Sequence, residues 1–436
     1  MLGQAAYDAE WTLPLGPGTD GTSRVQGVVT LDKGLAAEFL AGLGDVLSGS
    51  GKADFSVDLP RGGAPVLNLR SDLAGVGVRI AELGWSMGGA ARGKLELQGT
   101  LRAPVRLTKV VLQGPGLAAE GDLQLTADGG LDKLELSQLR LGSWLDARAE
   151  LIGQGKGRAP LARVTGGSAD LRRLTSGADS SVPGGTGAKG PPVEVALDRV
   201  LVSGGMALTD VRAELRSTAQ GLDGPFAGRL NGKAPVSGQL APGPKGTAIR
   251  VRAADGGAAL AAAGLFSKAS GGALDLAMTP TGGPGNYTGT IAMTGFRVRD
   301  MPALAELLNA VSIVGLIDQL ATSGLVFAEA KGNFRITPSA IELSEGRAVG
   351  ASFGVSLEGV YAMGEDRLDL RGVISPFYLI NGIGSVLTRP GEGLVGVTYR
   401  IRGSANDPQV TVNPLSVLAP GFFRDLLRRP AARISE

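Results

Sequence analysis

Two pentapeptides in this chain of 436 residues have the spacing of a nucleophile elbow: Gly84-Trp-Ser-Met-Gly88 and Gly350-Ala-Ser-Phe-Gly354. Such a turn raises a serine hydroxyl between a strand and a helix and needs a histidine to take its proton. The chain contains no His, and residues 350–354 sit inside a strand-like alternation, so neither serine reads as a nucleophile. Gly185-Thr-Gly-Ala-Lys-Gly190 has the G-x-G-x-x-G spacing of a phosphate cradle. It runs into Pro191-Pro192, where the cradle needs a helix N-terminus. The adjacent carboxylates Glu365 and Asp366 fall in a turn and read as solvated turn residues, not as a catalytic pair, and no acidic run has the spacing of a calcium loop. Cys is absent as well. Thiolate nucleophiles, zinc fingers, iron–sulfur clusters and disulfides are thereby excluded, and no catalytic residue, metal ligand set or cofactor is expected.

Composition narrows the field further. The 43 basic and 41 acidic residues leave a net charge of +2, without the concentrated basic field of a nucleic-acid binder, and aromatics form only 4% of the chain. Gly numbers 70, about 16% against an ordinary share of about 7%. With 43% hydrophobic residues the chain can bury a large apolar surface. The opening residues hold neither a basic nor an apolar signal region. The most apolar windows, Gly257–Phe266 and Ala310–Ile317, fall well short of the roughly 18 residues a spanning helix needs.

The elements are mainly strands. Apolar residues alternate in Leu95–Leu101, Asp122–Thr126, Lys133–Ser137, Val193–Leu197, Val211–Leu215 and Ile249–Ala253. They do so again in Ala273–Ala277, Phe353–Leu357, Arg367–Arg371, Val395–Ile401 and Gln409–Val412. Turn signals such as Ala127-Asp-Gly-Gly130, Ala254-Asp-Gly-Gly257 and Met363-Gly-Glu-Asp366 separate them, which predicts an antiparallel meander. Four segments break the period and read as helices: Gly34–Leu47, Pro302–Leu320, Pro376–Leu387 and Pro414–Arg429. The last ends in Phe422-Phe-Arg-Asp-Leu-Leu-Arg-Arg429, a composition that suits either an interfacial membrane helix or a terminal helix docked on the sheet. Ser176–Pro192, rich in Gly, Pro and Ser, reads as a linker between a β segment over 1–175 and another over 193–436.

A sheet with one greasy face must cover it. Gly often takes the next inward position (Leu97, Gly99; Phe226, Gly228; Val236, Gly238), which either leaves room or lets the sheet coil sharply. The alternation admits two architectures. One is an ordinary sandwich, the commoner solution; the other is an open, curved trough with an unfilled apolar concavity.

Residues Val373-Ile-Ser-Pro-Phe-Tyr-Leu-Ile-Asn381, Gly396-Val-Thr-Tyr-Arg-Ile-Arg-Gly403, Asp407-Pro-Gln-Val410 and Val412–Arg424 resemble the C-terminal region of the AsmA-like proteins of Gram-negative bacteria, the AsmA, YhdP and TamB group. Ile80-Ala-Glu-Leu-Gly-Trp85, Gly114–Gly121 and Gly166–Arg172 are similar to the YhdP-type central region. The resemblance implies an elongated, strongly curved antiparallel β-sheet forming an open hydrophobic groove (a β-taco) with a few short amphipathic helices. It implies a non-enzymatic envelope protein that guides phospholipid acyl chains between inner and outer membranes, from a periplasmic position. It also implies an N-terminal inner-membrane anchor, so the sequence reads as the C-terminal part of a longer protein. Groove-lining residues would be Leu95, Leu97, Leu123, Leu125, Leu134, Leu136, Leu274, Leu276, Leu368 and Leu370. Leu304, Leu308, Val311, Phe422, Phe423 and Arg428 would cap the groove or meet a membrane. The expected partners are phospholipids, a membrane and an envelope protein, with no nucleic acid. The alternative is an assembly factor for the outer membrane that acts through exposed sheet edges.

Overall fold

The computed structural model describes residues 6–17, 20–35, 46–80, 83, 85–155, 158–175, 192–283, 285–310, 314–351, 353–376, 396–404, 407–413 and 433. The chain forms two compact units, Met1–Gly224 and Pro225–Glu436. Each is built on an open, curved and almost wholly antiparallel sheet.

The first unit holds β1 (Tyr7–Thr12), β2 (Ser23–Asp32), β3 (Leu47–Leu59), β4 (Val66–Ser71), β5 (Val76–Ile80), β6 (Trp85–Met87) and β7 (Lys94–Thr100). It continues with β8 (Arg106–Gly114), β9 (Leu117–Leu125), β10 (Leu131–Leu141), β11 (Leu145–Ile152), β12 (Leu161–Asp170), β13 (Pro192–Ser203) and β14 (Met206–Thr218). β15 (Gly221–Leu230) spans the boundary. The second unit carries β16 (Ala234–Ala241), β17 (Ala248–Ala253), β18 (Ala269–Pro280), β19 (Tyr287–Val298), β20 (Leu325–Ile336) and β21 (Ala340–Gly350). β22 (Phe353–Ala362), β23 (Arg367–Pro376), β24 (Val397–Ser404) and β25 (Pro408–Asn413) complete it.

Each alternating stretch named above overlaps a strand, with Leu101, Thr126 and Gly396 just beyond the strand ends and Val395 outside the described residues, and short turns pair most strands with their sequence neighbours. Two departures have physical causes. β4 pairs with β7, because β5 and β6 leave the main sheet: β5 pairs with the start of β3 and β6 with β5. β12 and β13 run parallel, Ala162 beside Val193 and Asp170 beside Leu201, so the chain between them returns from one end of the sheet to the other. The linker expected at 176–192 lies outside the described residues except for Pro192, which opens β13; the strands flanking it are direct neighbours.

Outward positions carry cross-strand ion pairs, among them Arg24–Asp58, Arg163–Glu194, Arg250–Asp275 and Arg400–Asp369. Inward positions are apolar, as a half-solvated antiparallel sheet requires. Among the described residues no second large sheet covers that face, so the sandwich is not formed.

The helices differ from expectation in extent. Pro302–Leu320 comprises two helices, Pro302–Ala310 and Val314–Ala321, with 311–313 outside the described residues. The helix expected at Gly34–Leu47 is described only at its ends: it is helical at Gly34 and Leu35, where the Leu35 N–H donates to the Asp32 carboxylate at 2.9 Å, but Leu47 opens β3 instead of ending a helix, because it pairs with Val78. Those expected at 376–387 and 414–429 lie outside the described residues beyond Pro376, which ends β23. Ala254–Gly257 is not a hairpin turn. It starts the helix Gly256–Ala262, because the Asp255 carboxylate accepts the Ala258 N–H at 2.9 Å and an alanine run follows.

Candidate functional site

Strand register turns the alternation into continuous apolar rows. In the first unit one row runs Val57, Leu67, Gly99, Leu107, Leu123, Leu134, each paired with the next across adjacent strands. It goes on through Leu151, Ala162, Val193 and Leu215. A second row, two residues nearer the other strand ends, runs Phe55, Leu69, Leu97, Val110, Gly121, Leu136 and then Ala149, Val164 and Val195. Neither row contains a charged or hydrogen-bonding side chain. Ten strands about 4.8 Å apart give the first row a length of about 43 Å, nearly three times the roughly 15 Å of one leaflet's acyl layer. The second unit repeats the device with Ile249, Met278, Gly289, Phe334, Leu343 and Gly359, then Leu370, Ile401 and Val410.

Exposure changes along the strands. At one end of the first unit the face is plugged: Val76, Val78, Trp85 and Met87 pack with Leu117, Leu139, Leu141 and Leu145 in one buried cluster. Trp85 is 6% exposed, and its indole N–H donates to the Pro115 carbonyl at 2.8 Å. At the opposite end Val57, Leu67, Leu123, Leu125, Leu134 and Leu151 are only half-buried. The second unit is closed in the same sense. Leu304 and Leu308 of Pro302–Ala310 are buried, and so are Leu325, Phe353 and Ile374 at the adjoining strand ends. The Phe327 ring stacks on Phe296 and meets Phe353 edge-on, with both centroid distances 5.1 Å.

The expected lining residues are therefore brought together on apolar faces. Leu95, Leu97, Leu123, Leu125, Leu134 and Leu136 lie on the first unit's face and are half-buried. Leu276, Leu368 and Leu370 are half-buried in the second unit, whereas Leu274 lies deeper, against Met293 and Ala253. Leu304 and Leu308 have the burial of capping residues. Val311, Phe422, Phe423 and Arg428 lie outside the described residues.

The inward glycines prove to be sites of close approach. A Cβ at Gly99 would strike the Arg106 carbonyl, and one at Gly121 the Glu135 carbonyl, both beside register shifts in the ladder. They allow the sheet to coil. At three inward or edge glycines an aromatic ring also lies close: Phe226 over Gly238 and Phe334 over Gly289, beside a neighbouring carbonyl in each case, and Trp85 over Gly114.

Trp85 and its plug were missed in the sequence because β6 is only three residues long. The apolar pair Trp85/Met87 two residues apart was the available signal, hidden inside the false elbow. The second elbow, residues 350–354, bridges β21 and β22 and leads into no helix.

A compact ion-pair cluster lies where β12 ends. The Asp170 carboxylate accepts from Arg172 Nε at 2.8 Å, Arg172 Nη2 at 2.7 Å and Arg173 Nε at 3.2 Å. The bond from Arg172 is the main cause that holds the Asp170 pKa down to about 2. Among the described residues no group of three or more acidic side chains is placed to hold a metal ion. None of the described helices is long and apolar enough to cross a membrane. No protein-family model, curated protein or solved structure matches this chain.

Proposed function

We propose that the protein is a non-enzymatic lipid carrier whose half-buried apolar faces hold phospholipid acyl chains while head groups stay in water. The observation that carries this reading is the pair of uninterrupted apolar rows across the first unit, plugged at one strand end and open at the other. Each methylene moved from water onto such a face gains about 0.8 kcal/mol, or about 11 kcal/mol for a chain of fourteen. Measured from a bilayer the gain is near zero, since both surroundings are apolar. A face of this kind therefore passes lipid along without trapping it. The resemblance of residues 373–424 to AsmA-like proteins supports phospholipid as the cargo and the cell envelope as the setting, with transfer between inner and outer membranes as the role.

The test is to purify the chain from cells, extract it and identify co-purifying phospholipid by mass spectrometry, then measure uptake of a fluorescent phospholipid. Leu123→Asp with Leu125→Asp places two carboxylates at the open end of the face, where exposure lets the fold tolerate them. Uptake is lost while the β circular-dichroism signal stays unchanged, and Leu123→Met with Leu125→Met retains uptake. A lipid-free wild type that takes up no labelled lipid would overturn the reading.

A further inference from the structure

Among the described residues β1 is an edge strand of the first unit, paired only with β2. The Thr30 N–H donates to the Ala6 carbonyl at 2.9 Å, and the register from there turns the backbone N–H and C=O of Tyr7, Ala9 and Trp11 away from β2. Tyr7, Ala9 and Trp11 lie opposite Val29, Gly27 and Val25, so their side chains extend the apolar face. That face is nevertheless uncovered here: Tyr7 is 54% exposed and Trp11 65%, and Leu15 just beyond the strand is 86% exposed. The outward residues Asp8 and Glu10 stand opposite Val28 and Gln26 and, among the described residues, have no cationic partner.

Elsewhere the chain shows how it satisfies such an outward carboxylate. Asp275 of β18 is gripped by Arg250 at 2.5 Å and Arg252 at 3.3 Å from β17, whose sequence alternates apolar and basic residues. Asp369 of β23 is gripped in the same way by Arg400 and Arg402 of β24. β1 presents the acidic half of this arrangement and lacks the basic one. Charges on an edge strand ordinarily repel stray strands. On β1 they share the strand with an exposed Tyr and Trp, which is the composition of an edge built to be covered.

We propose that β1 is a docking edge for an extended protein segment with Arg or Lys at alternate positions and apolar residues between them. The segment adds antiparallel to β1, hydrogen-bonds to Tyr7, Ala9 and Trp11, covers the two aromatic rings and sets its cations against Asp8 and Glu10. This does not depend on the lipid reading. Strand addition at β1 uses its outward backbone groups and the Asp8 and Glu10 carboxylates, so it is read whether or not the apolar face holds lipid.

The probe is a fluorophore-labelled peptide carrying the sequence of residues 248–253, Ala-Ile-Arg-Val-Arg-Ala, flanked by polar residues. Laid antiparallel, its two arginines face Glu10 and Asp8. Anisotropy is read for the full-length chain, for Asp8→Lys/Glu10→Lys and for Ala9→Pro. Proline removes an outward N–H at an edge position where a fold tolerates it. The peptide binds the wild type and is weakened at least tenfold by either change. A peptide with Glu in place of both Arg binds only the Asp8→Lys/Glu10→Lys variant. Absence of binding to the wild type, or binding indifferent to both changes, overturns the proposal. So does self-association without peptide that Ala9→Pro abolishes, because the occupant is then a second copy of the chain.

Discussion

Replacing Trp85 by Ala removes the centre of the plug, and its cost can be worked out from the neighbours. Truncating a buried Trp costs about 3–5 kcal/mol. Trp85 is 6% exposed and also donates a hydrogen bond to Pro115, which itself contributes about 1 kcal/mol. The hole would not refill easily. The side facing Gly114 has only backbone to offer, since a Cβ there would already lie 2.8 Å from the indole. Met87 alone is flexible enough to lean in. The upper half of the range is therefore expected, about 4 kcal/mol. All three tryptophans (Trp11, Trp85, Trp144) belong to the first unit, so tryptophan fluorescence during urea unfolding reports that unit alone. With a denaturant slope of about 2–3 kcal/mol/M, Trp85→Ala lowers the urea midpoint by about 1.5 M. Trp85→Phe, which keeps most of the ring and loses the N–H, lowers it by about a third of that. Trp11→Ala, on the exposed edge, costs no more than about 0.5 kcal/mol and moves the midpoint by about 0.2 M. If Trp85→Ala shifts the midpoint no further than Trp11→Ala, the plug is not what closes this end of the sheet.

Three further outcomes follow from the same physics. Asp170, held at about 2 when folded against 3.8 when free, adds stability that is fully present above pH 3.8 and lost as pH falls to about 2. Its partners are partly exposed, so the contribution is about 1–2 kcal/mol, and Asp170→Asn flattens the urea midpoint of the first unit between pH 5 and pH 2.5. Gly121→Val drives a side chain into the Glu135 carbonyl and costs about 2–3 kcal/mol or more, read by the same fluorescence titration. Phe327→Ala breaks two ring contacts in the second unit and costs about 4 kcal/mol, read by far-UV circular dichroism because that unit has no Trp.

Period-two patterning is a local property, so the strands were legible. Leu95–Leu101 and Arg367–Arg371 announce both their state and their inward face. Short turns such as 127–130 then fix the partner. What the sequence hides is what depends on distant chain. Whether the apolar face meets a second sheet is a tertiary fact that alternation leaves open. The parallel pairing of β12 with β13 depends on the path of a segment with no pattern of its own. The helix Gly256–Ala262 is too poor in contrast between its faces to show a period, and its start resembles a hairpin turn until the capping role of Asp255 is seen. The glycines were ambiguous because one residue type serves opposite ends: Gly121 brings two backbones together, whereas Gly114 makes room for the Trp85 ring.

The way the chain turns back and forth has a consequence for how length can vary. In the stretch from β7 to β12 the hairpins β7–β8, β9–β10 and β11–β12 each leave from the plugged end and return to it. Excising β9 and β10 together, with their turns, would bring the end of β8 to the start of β11 with both strands still directed as before. Removing one strand alone would reverse every strand that follows. Reach is thus an integer quantity counted in hairpins, about 10 Å of sheet for each, and it is separable from the cross-section that strand length and side-chain size set.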